Sequence, residues 1–239
     1  MIDRSNDGCS GQTPAHRKNG PDSCVDCAKS KNGPRARPDL PTQENIARAT
    51  EMAFEALGGQ TDEQMAWLGA VPQEGIWKLP VLGHALHVDR PAKRVTTEEG
   101  KEAGPFWRIL ALHYLAVRDQ PDLTPPGVVF ADIPTARSYA GVYHQRVIAR
   151  LCGTAGRDLE TLRAAAEEHG GQLVAEGDAG FDFNVFPRLP VRLVWHAADE
   201  EFPPSATLLL PANIEEYLCI EDVTILSECL VSRLGGRPF

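Results

Sequence analysis

The sequence predicts an α+β fold in which antiparallel β-hairpins, or a sheet built from them, pack against several amphipathic helices behind an N-terminal tail. Three observations predict it. Helical and strand-type periodicities follow one another irregularly, not as repeating βαβ units. Strand-type segments between residues 172 and 210 are joined by short connections, which antiparallel neighbours allow and parallel ones do not. A hydrophobic fraction of 42% with 24% charged residues over 239 positions suits one core and excludes wholesale disorder or a fibrous repeat. The expected organisation is a tail over residues 1–40 and one domain over 41–239.

The tail is rich in Gly, Pro, Ser, Asn, Asp and Lys and nearly devoid of aliphatic residues, so burial cannot offset the entropy of ordering it. Thr42 is an N-cap candidate for a first helix whose apolar face is Ile46, Ala49, Ala53 and Leu57 and whose stop is Gly58-Gly59. A short helix is expected over 62–69. Between 76 and 88 the runs IWKLPVL and HALHV flank Gly83 and predict a hairpin, with Pro80 restricting one strand. Helical spacing returns over 106–117 through Phe106, Ile109, Leu110, His113 and Val117. Residues 122–134, with Pro-Pro-Gly and a short VVF, read as a loop with an isolated strand.

Residues 139–151 and 159–169 are the next helices, the second closed by Gly170-Gly171. The strands QLVAE, FDFNVF, VRLVWH and TLLL follow. A last helix over 222–234 carries Val223, Leu226, Leu230 and Leu234 on its apolar stripe and ends at Gly235-Gly236.

Charge divides unevenly. Residues 1–40 hold seven Lys/Arg and five Asp/Glu, so the tail is +2 and the remainder −11. An acidic body repels phosphates and anionic lipid, which argues against nucleic acid and membrane surfaces as partners. No apolar run approaches the ~18 residues of a membrane-spanning helix, and the first residues lack the apolar centre of a secretory signal. Cytoplasmic residence follows as the expectation, with six scattered cysteines read as reduced thiols or metal ligands.

The densest polar stretch is WHAADEEFPP, where His196 precedes Asp199, Glu200 and Glu201. Adjacent carboxylates repel, so such a group raises a proton affinity or attracts a cation; a solvated acidic turn anchored by Phe202-Pro203-Pro204 has the same composition. Because strand side chains alternate, Arg192 and His196 share one face of VRLVWH, while Val191, Leu193 and Trp195 share the other. Asp182 and Asn184 are similarly separated from Phe181, Phe183 and Val185. Arg192, His196, Asp182 and Asn184 could thus line a ligand pocket with Asp199, Glu200 and Glu201, or simply face solvent. His113 and the Tyr143-His144 pair beside Arg146 sit on helices, where a histidine is more often a hydrogen-bonded core residue than a catalyst. The odd spacing of His84 and His87 places them on opposite strand faces and argues against a shared metal. Cys152, Cys219 and Cys229 are expected to pack as small hydrophobes.

The second polar concentration is Cys9, His16, Cys24 and Cys27. The two-residue gap of Cys24-Val-Asp-Cys27 lets both thiolates reach one metal, and Cys9 and His16 could complete a zinc site or contribute to an iron–sulfur cluster. A tail with incidental cysteines would look the same.

Several segments resemble an uncharacterised prokaryotic family, domain of unknown function 3786. They are ILALHYL at 109–115, SYAGVYHQRVIARL at 138–151, the Gly170-Gly171 turn, Gly177-Asp178, FPRLPVRLVWHAADEEFPPSATLLL at 186–210 and EEYLCIED at 215–222, together spanning most of 75–234. Asp-Glu-Glu-Phe-Pro is the most specific element. The resemblance implies a fold and a context, since members occur alone or behind a cysteine-rich iron–sulfur domain, often in anaerobes; it supplies no catalytic residues. This tail departs from the fused arrangement in having three cysteines where a complete cluster-binding segment has four. Three functions are weighed on these grounds. The first is an accessory protein handling a metal, an iron–sulfur cluster or a small cofactor in redox or anaerobic metabolism. The second is a small-molecule enzyme with Glu200 or Glu201 as base, His196 as its partner and Arg192 holding an anion. The third is an interaction module docking on a protein partner through an apolar patch.

Overall fold

The structure, a computed structural model, describes residues 43–239; Cys9, His16, Cys24 and Cys27 lie outside them. Helix α1 (Gln43–Gly58), which packs on α3, buries Ala53 and Leu57 of its apolar stripe together with Phe54, while Ile46 and Ala49 are half-buried. Thr61 caps α2 (Asp62–Trp67) by accepting a hydrogen bond from the Gln64 amide, which satisfies one of the free N–H groups of a helix start. Four antiparallel strands then form a meander: β1 (Val71–Gln73), β2 (Ile76–Val81), β3 (His84–Asp89) and β4 (Arg94–Thr97). The hairpin expected around Gly83 is the centre of this sheet. Its outer strands VPQ and RVTT carry no strand signature, being three or four residues long and half polar, and are recruited by pairing with their neighbours.

Helix α3 (Pro105–Leu115) starts on a proline, whose missing N–H costs nothing in a first turn, and buries Trp107, Leu110, Ala111, Leu112, Tyr114 and Leu115. After β5 (Val128–Val129) and two 3₁₀ turns, α4 (Ala140–Tyr143) passes through a π turn (His144–Ile148) into α5 (Ala149–Gly153). Asp158 caps α6 (Leu159–Glu168) on the Thr161 amide at 2.8 Å. The second sheet contains β6 (Gln172–Val174), β7 (Ala179–Phe186), β8 (Leu189–His196) and β9 (Ser205–Leu210), in the antiparallel order β5-β9-β8-β7-β6. Helix α7 (Ile220–Leu234) closes the fold. The architecture is α+β as the sequence predicts, with two differences. The strand read as isolated within 122–134 is β5, which pairs with β9 at the edge of the second sheet. The 76–88 hairpin, expected from its place in the sequence to open the same sheet as the later strands, instead forms the centre of a separate one.

One hydrophobic cluster runs through both sheets and the helices, with Phe181, Phe183, Phe186, Tyr114 and Leu110 among its buried members. Fully burying each such side chain stabilises the fold by about 1.5–3 kcal/mol relative to exposure. Polar atoms within the cluster are paired. The Tyr114 hydroxyl donates to the Leu68 carbonyl at 2.7 Å and accepts from the Arg188 amide, and the Trp195 indole donates to the Gly156 carbonyl. The amides of Gln60 and Gln64 donate to the carbonyls of Leu115, Val117 and Asp119, holding the chain as it leaves α3.

The two sheets meet at two turns. Gly83 and Gly170 both have positive φ, +75° and +72°, and a Cβ on either would lie 3.1–3.2 Å from the other's backbone. Only glycine allows both the conformation and the approach. Among the described residues no helix is long and apolar enough to cross a membrane.

Candidate functional site

The alternation read from β7 and β8 places Phe181, Phe183, Val185, Val191, Leu193 and Trp195 in the core and Asp182, Asn184, Arg192 and His196 on the outer face. Asp182 and Arg192 are cross-strand partners in register. Arg192 Nε and Nη2 donate to the two Asp182 oxygens at 2.6 and 2.8 Å, and Nη1 donates to Glu176 Oε1 at 2.5 Å. This bidentate fork matches guanidinium to carboxylate. The hydrogen bonds donated to Asp182 and the charges of both carboxylates push the arginine further toward its charged form.

The turn beyond β8 is organised by a different logic. Asp199 Oδ1 accepts from the amides of Glu201 and Phe202 at 2.8 and 2.7 Å, so this carboxylate builds its own turn. Glu200 and Glu201 are exposed and make no ion pair among the described residues. His196 Nδ1 is 3.9 Å from Asp178 Oδ2, which also accepts from the Ala197 amide. The structure therefore brings Arg192 and Asp182 together, adds Glu176, and leaves Asn184, Glu200 and Glu201 facing solvent. A shallow concavity on α6, lined by Leu159, Glu160, Arg163, Ala164 and Glu167, includes none of these groups. Among the described residues no three His, Cys, Asp or Glu side chains converge as a metal site.

Two further polar clusters join residues far apart in sequence. His113 Nδ1 lies 2.7 Å from Asp222 Oδ2. His113 ends α3 and Asp222 begins α7, so each occupies the helix end whose dipole favours its charge. The hydrogen bond that His113 donates to Asp222 holds the imidazole above its usual range, against the opposing effect of partial burial. Cys219, the N-cap residue of α7, is exposed and is not the packed hydrophobe its neighbours suggest. Burial of its sulfur, reinforced by Asp222 and Glu221, nevertheless pushes the thiol up to about 11, which keeps it protonated at neutral pH. Cys229 packs in the core as expected, its thiol raised by burial to about 12.

The second cluster links His84, His169 and Arg233. His169 Nε2 lies 2.9 Å from the Arg233 carbonyl and its Nδ1 lies 3.3 Å from His84 Nε2. Arg233 stacks on Phe239 with its guanidinium carbon 4.0 Å from the ring centre, and donates through Nη1 to the Arg237 carbonyl. Sequence reasoning missed both clusters because their members lie 64 to 149 positions apart. The available signal was weak: a histidine in a last helical turn, and another beside the glycines that close α6.

No curated protein and no solved structure matches the chain. The family model described as Domain of unknown function (DUF3786) matches residues 51–233, which contain the sheets, the candidate face and both histidine clusters. Over this span, and with the features that the resemblance first marked, the chain belongs to the DUF3786 family.

Proposed function

We propose that this chain is an accessory binding protein that holds a metal ion, an iron–sulfur cluster or a small cofactor for redox or anaerobic metabolism, with Cys9, His16, Cys24 and Cys27 as the donors. The observation that carries the reading is the spacing of Cys24 and Cys27, with Cys9 and His16 nearby in sequence. Three thiolates and an imidazole make a soft four-donor set suited to zinc or to cluster iron. The geometry of the body supports a scaffold role. Its most conspicuous polar groups satisfy one another, Arg192 through Asp182 and Glu176, and Asp199 through two backbone amides. An anionic substrate at Arg192 would have to displace a bidentate carboxylate. A reducing, cytoplasmic setting would keep the thiols available, and the −11 charge of the body disfavours nucleic acid as the partner.

The test is anaerobic purification of the full chain followed by metal analysis and an ultraviolet–visible spectrum, before and after reconstitution with iron and sulfide or with zinc. Bound metal in the wild type and its loss in Cys24→Ser/Cys27→Ser is the expected result. A colourless, metal-free chain after both reconstitutions sinks the reading.

A further inference from the structure

His169 is 2% exposed and sits where α6 turns into β6, directly behind the Gly83–Gly170 backbone contact. Its protonation state follows from its partners. The Arg233 carbonyl can only accept, so His169 Nε2 carries a proton; in the neutral ring Nδ1 is then an acceptor, and His84 Nε2 must donate to it. Arg233 Nη2, also a donor only, lies 3.5 Å from that same His84 nitrogen, so in this tautomer the two do not bond, and Arg233 joins the cluster through its charge and its backbone carbonyl. We propose that His84, His169 and Arg233 form a proton-sensitive latch, which holds the turn of the first sheet against the α6–β6 turn and α7 and releases it as pH falls.

The chemistry of release is specific. A second proton on His169 goes to Nδ1, where it points at the His84 N–H, and the contact survives only if His84 moves its own proton to its far nitrogen. Even then an imidazolium lies beside a guanidinium. Carboxylate compensation is thin. Glu168 on α6 and Glu99 after β4 are the acids whose charge reaches Arg233, and Glu168 also acts on His169, against the effect of burial; Glu99 faces His84 and Lys101 while its Oε2 accepts from the Thr97 hydroxyl at 2.6 Å. Arg233 itself has a buried Nε with no acceptor, and Arg237 offers it only a carbonyl. Burial, and next the charge of Arg233, hold His169 below its usual range. The latched form therefore binds fewer protons than the open one below about pH 6.5, and each step in acidity favours opening.

Amide hydrogen exchange of the full chain, followed by NMR from pH 8 to pH 5 and corrected for intrinsic rates, tests this. The Gly171 amide, bonded to the Ala166 carbonyl at 2.7 Å, and the Gly170 amide, bonded to the Glu167 carbonyl, are expected to lose protection by up to about tenfold per pH unit below ~6.5. Phe183 and Leu193 in the central strands should hold theirs. His169→Gln, whose amide can still donate to Arg233 and accept from His84, should remove the pH dependence. Flat protection at Gly170 and Gly171, or loss shared equally with Phe183 and Leu193, overturns the proposal. Should the variant fail to fold, ring ¹⁵N shifts of the wild type decide: His169 protonated on Nε2 alone at pH 6 supports the latch, and a doubly protonated ring there overturns it.

Discussion

Arg192 and Arg233 are both stacked or paired arginines on the same small domain, yet they are held in opposite ways. Arg192 lies on an outer sheet face with every guanidinium edge directed at a carboxylate, and its partners Asp182 and Glu176 are one-third and two-fifths exposed. Arg233 is buried, rests on a phenyl ring and a carbonyl, and meets two histidines where Arg192 meets two acids. A charge that water and counter-charges already satisfy changes little when its surroundings change. One that rests on a phenyl ring and a carbonyl beside two imidazoles has no counter-charge in contact, so a proton added to either ring sets like charges together.

The contrast can be broken most severely at His169. His169→Ala removes one of the donors to the Arg233 carbonyl, which keeps the Gly236 amide at 2.9 Å, removes the acceptor for His84 and opens a cavity, and should cost about 2–4 kcal/mol in a denaturant midpoint at constant slope. A loss under about 1 kcal/mol would show that the inner cluster is as inert as the outer one.

Gly170→Ala attacks the same joint through the backbone. It places a Cβ at positive φ within 3.2 Å of Gly83, and should cost about 1–3 kcal/mol, measurable by the same titration. Arg192→Ala is the outer counterpart. Its partners regain water, so a loss below about 1 kcal/mol that shrinks further with added salt is expected; a much larger loss would mean that the outer cluster organises the β7–β8 pair.

The smallest effect is at Asp222. Asp222→Asn removes the hydrogen-bonded charge and should bring the His113 imidazole down toward its ordinary range in an NMR titration. The sign in stability follows. A histidine raised in the folded state contributes fully below about pH 6.5, and the contribution fades as pH rises through the raised value. The wild type should exceed the variant most in acid, opposite to the pH trend at His169, and the two converge at alkaline pH.

Local periodicity made much of this fold legible. The stripes of α1 and α7 and the alternation in β7 and β8 each reflect burial of one face, which a short window of sequence records; on α3 the buried residues include Trp107, Ala111 and Tyr114, and of the stripe read from spacing only Leu110 is buried while Phe106 is exposed. Strands β1 and β4 were not legible, because Val71–Gln73 and Arg94–Thr97 have no alternating pattern of their own and are strands only through pairing with β2 and β3. The outer polar face was visible in Asp182 and Arg192 because register in a tight hairpin follows from the turn, although Glu176 as third partner was not. Asp199 read as a member of an acidic cluster, whereas its acceptor capacity is taken by the adjacent amides. The His84–His169–Arg233 and His113–Asp222 clusters depend on tertiary packing of distant elements, and no local pattern carries that information.

In the proposed function the body is a scaffold and Cys9, His16, Cys24 and Cys27 hold the ligand. Metal and sulfide content, measured on anaerobically reconstituted wild type, Arg192→Ala and Cys24→Ser/Cys27→Ser in parallel, tests it most directly. The account predicts equal loading of the first two chains and loss in the third. Loading that survives the cysteine substitutions, or that disappears with Arg192, would contradict it.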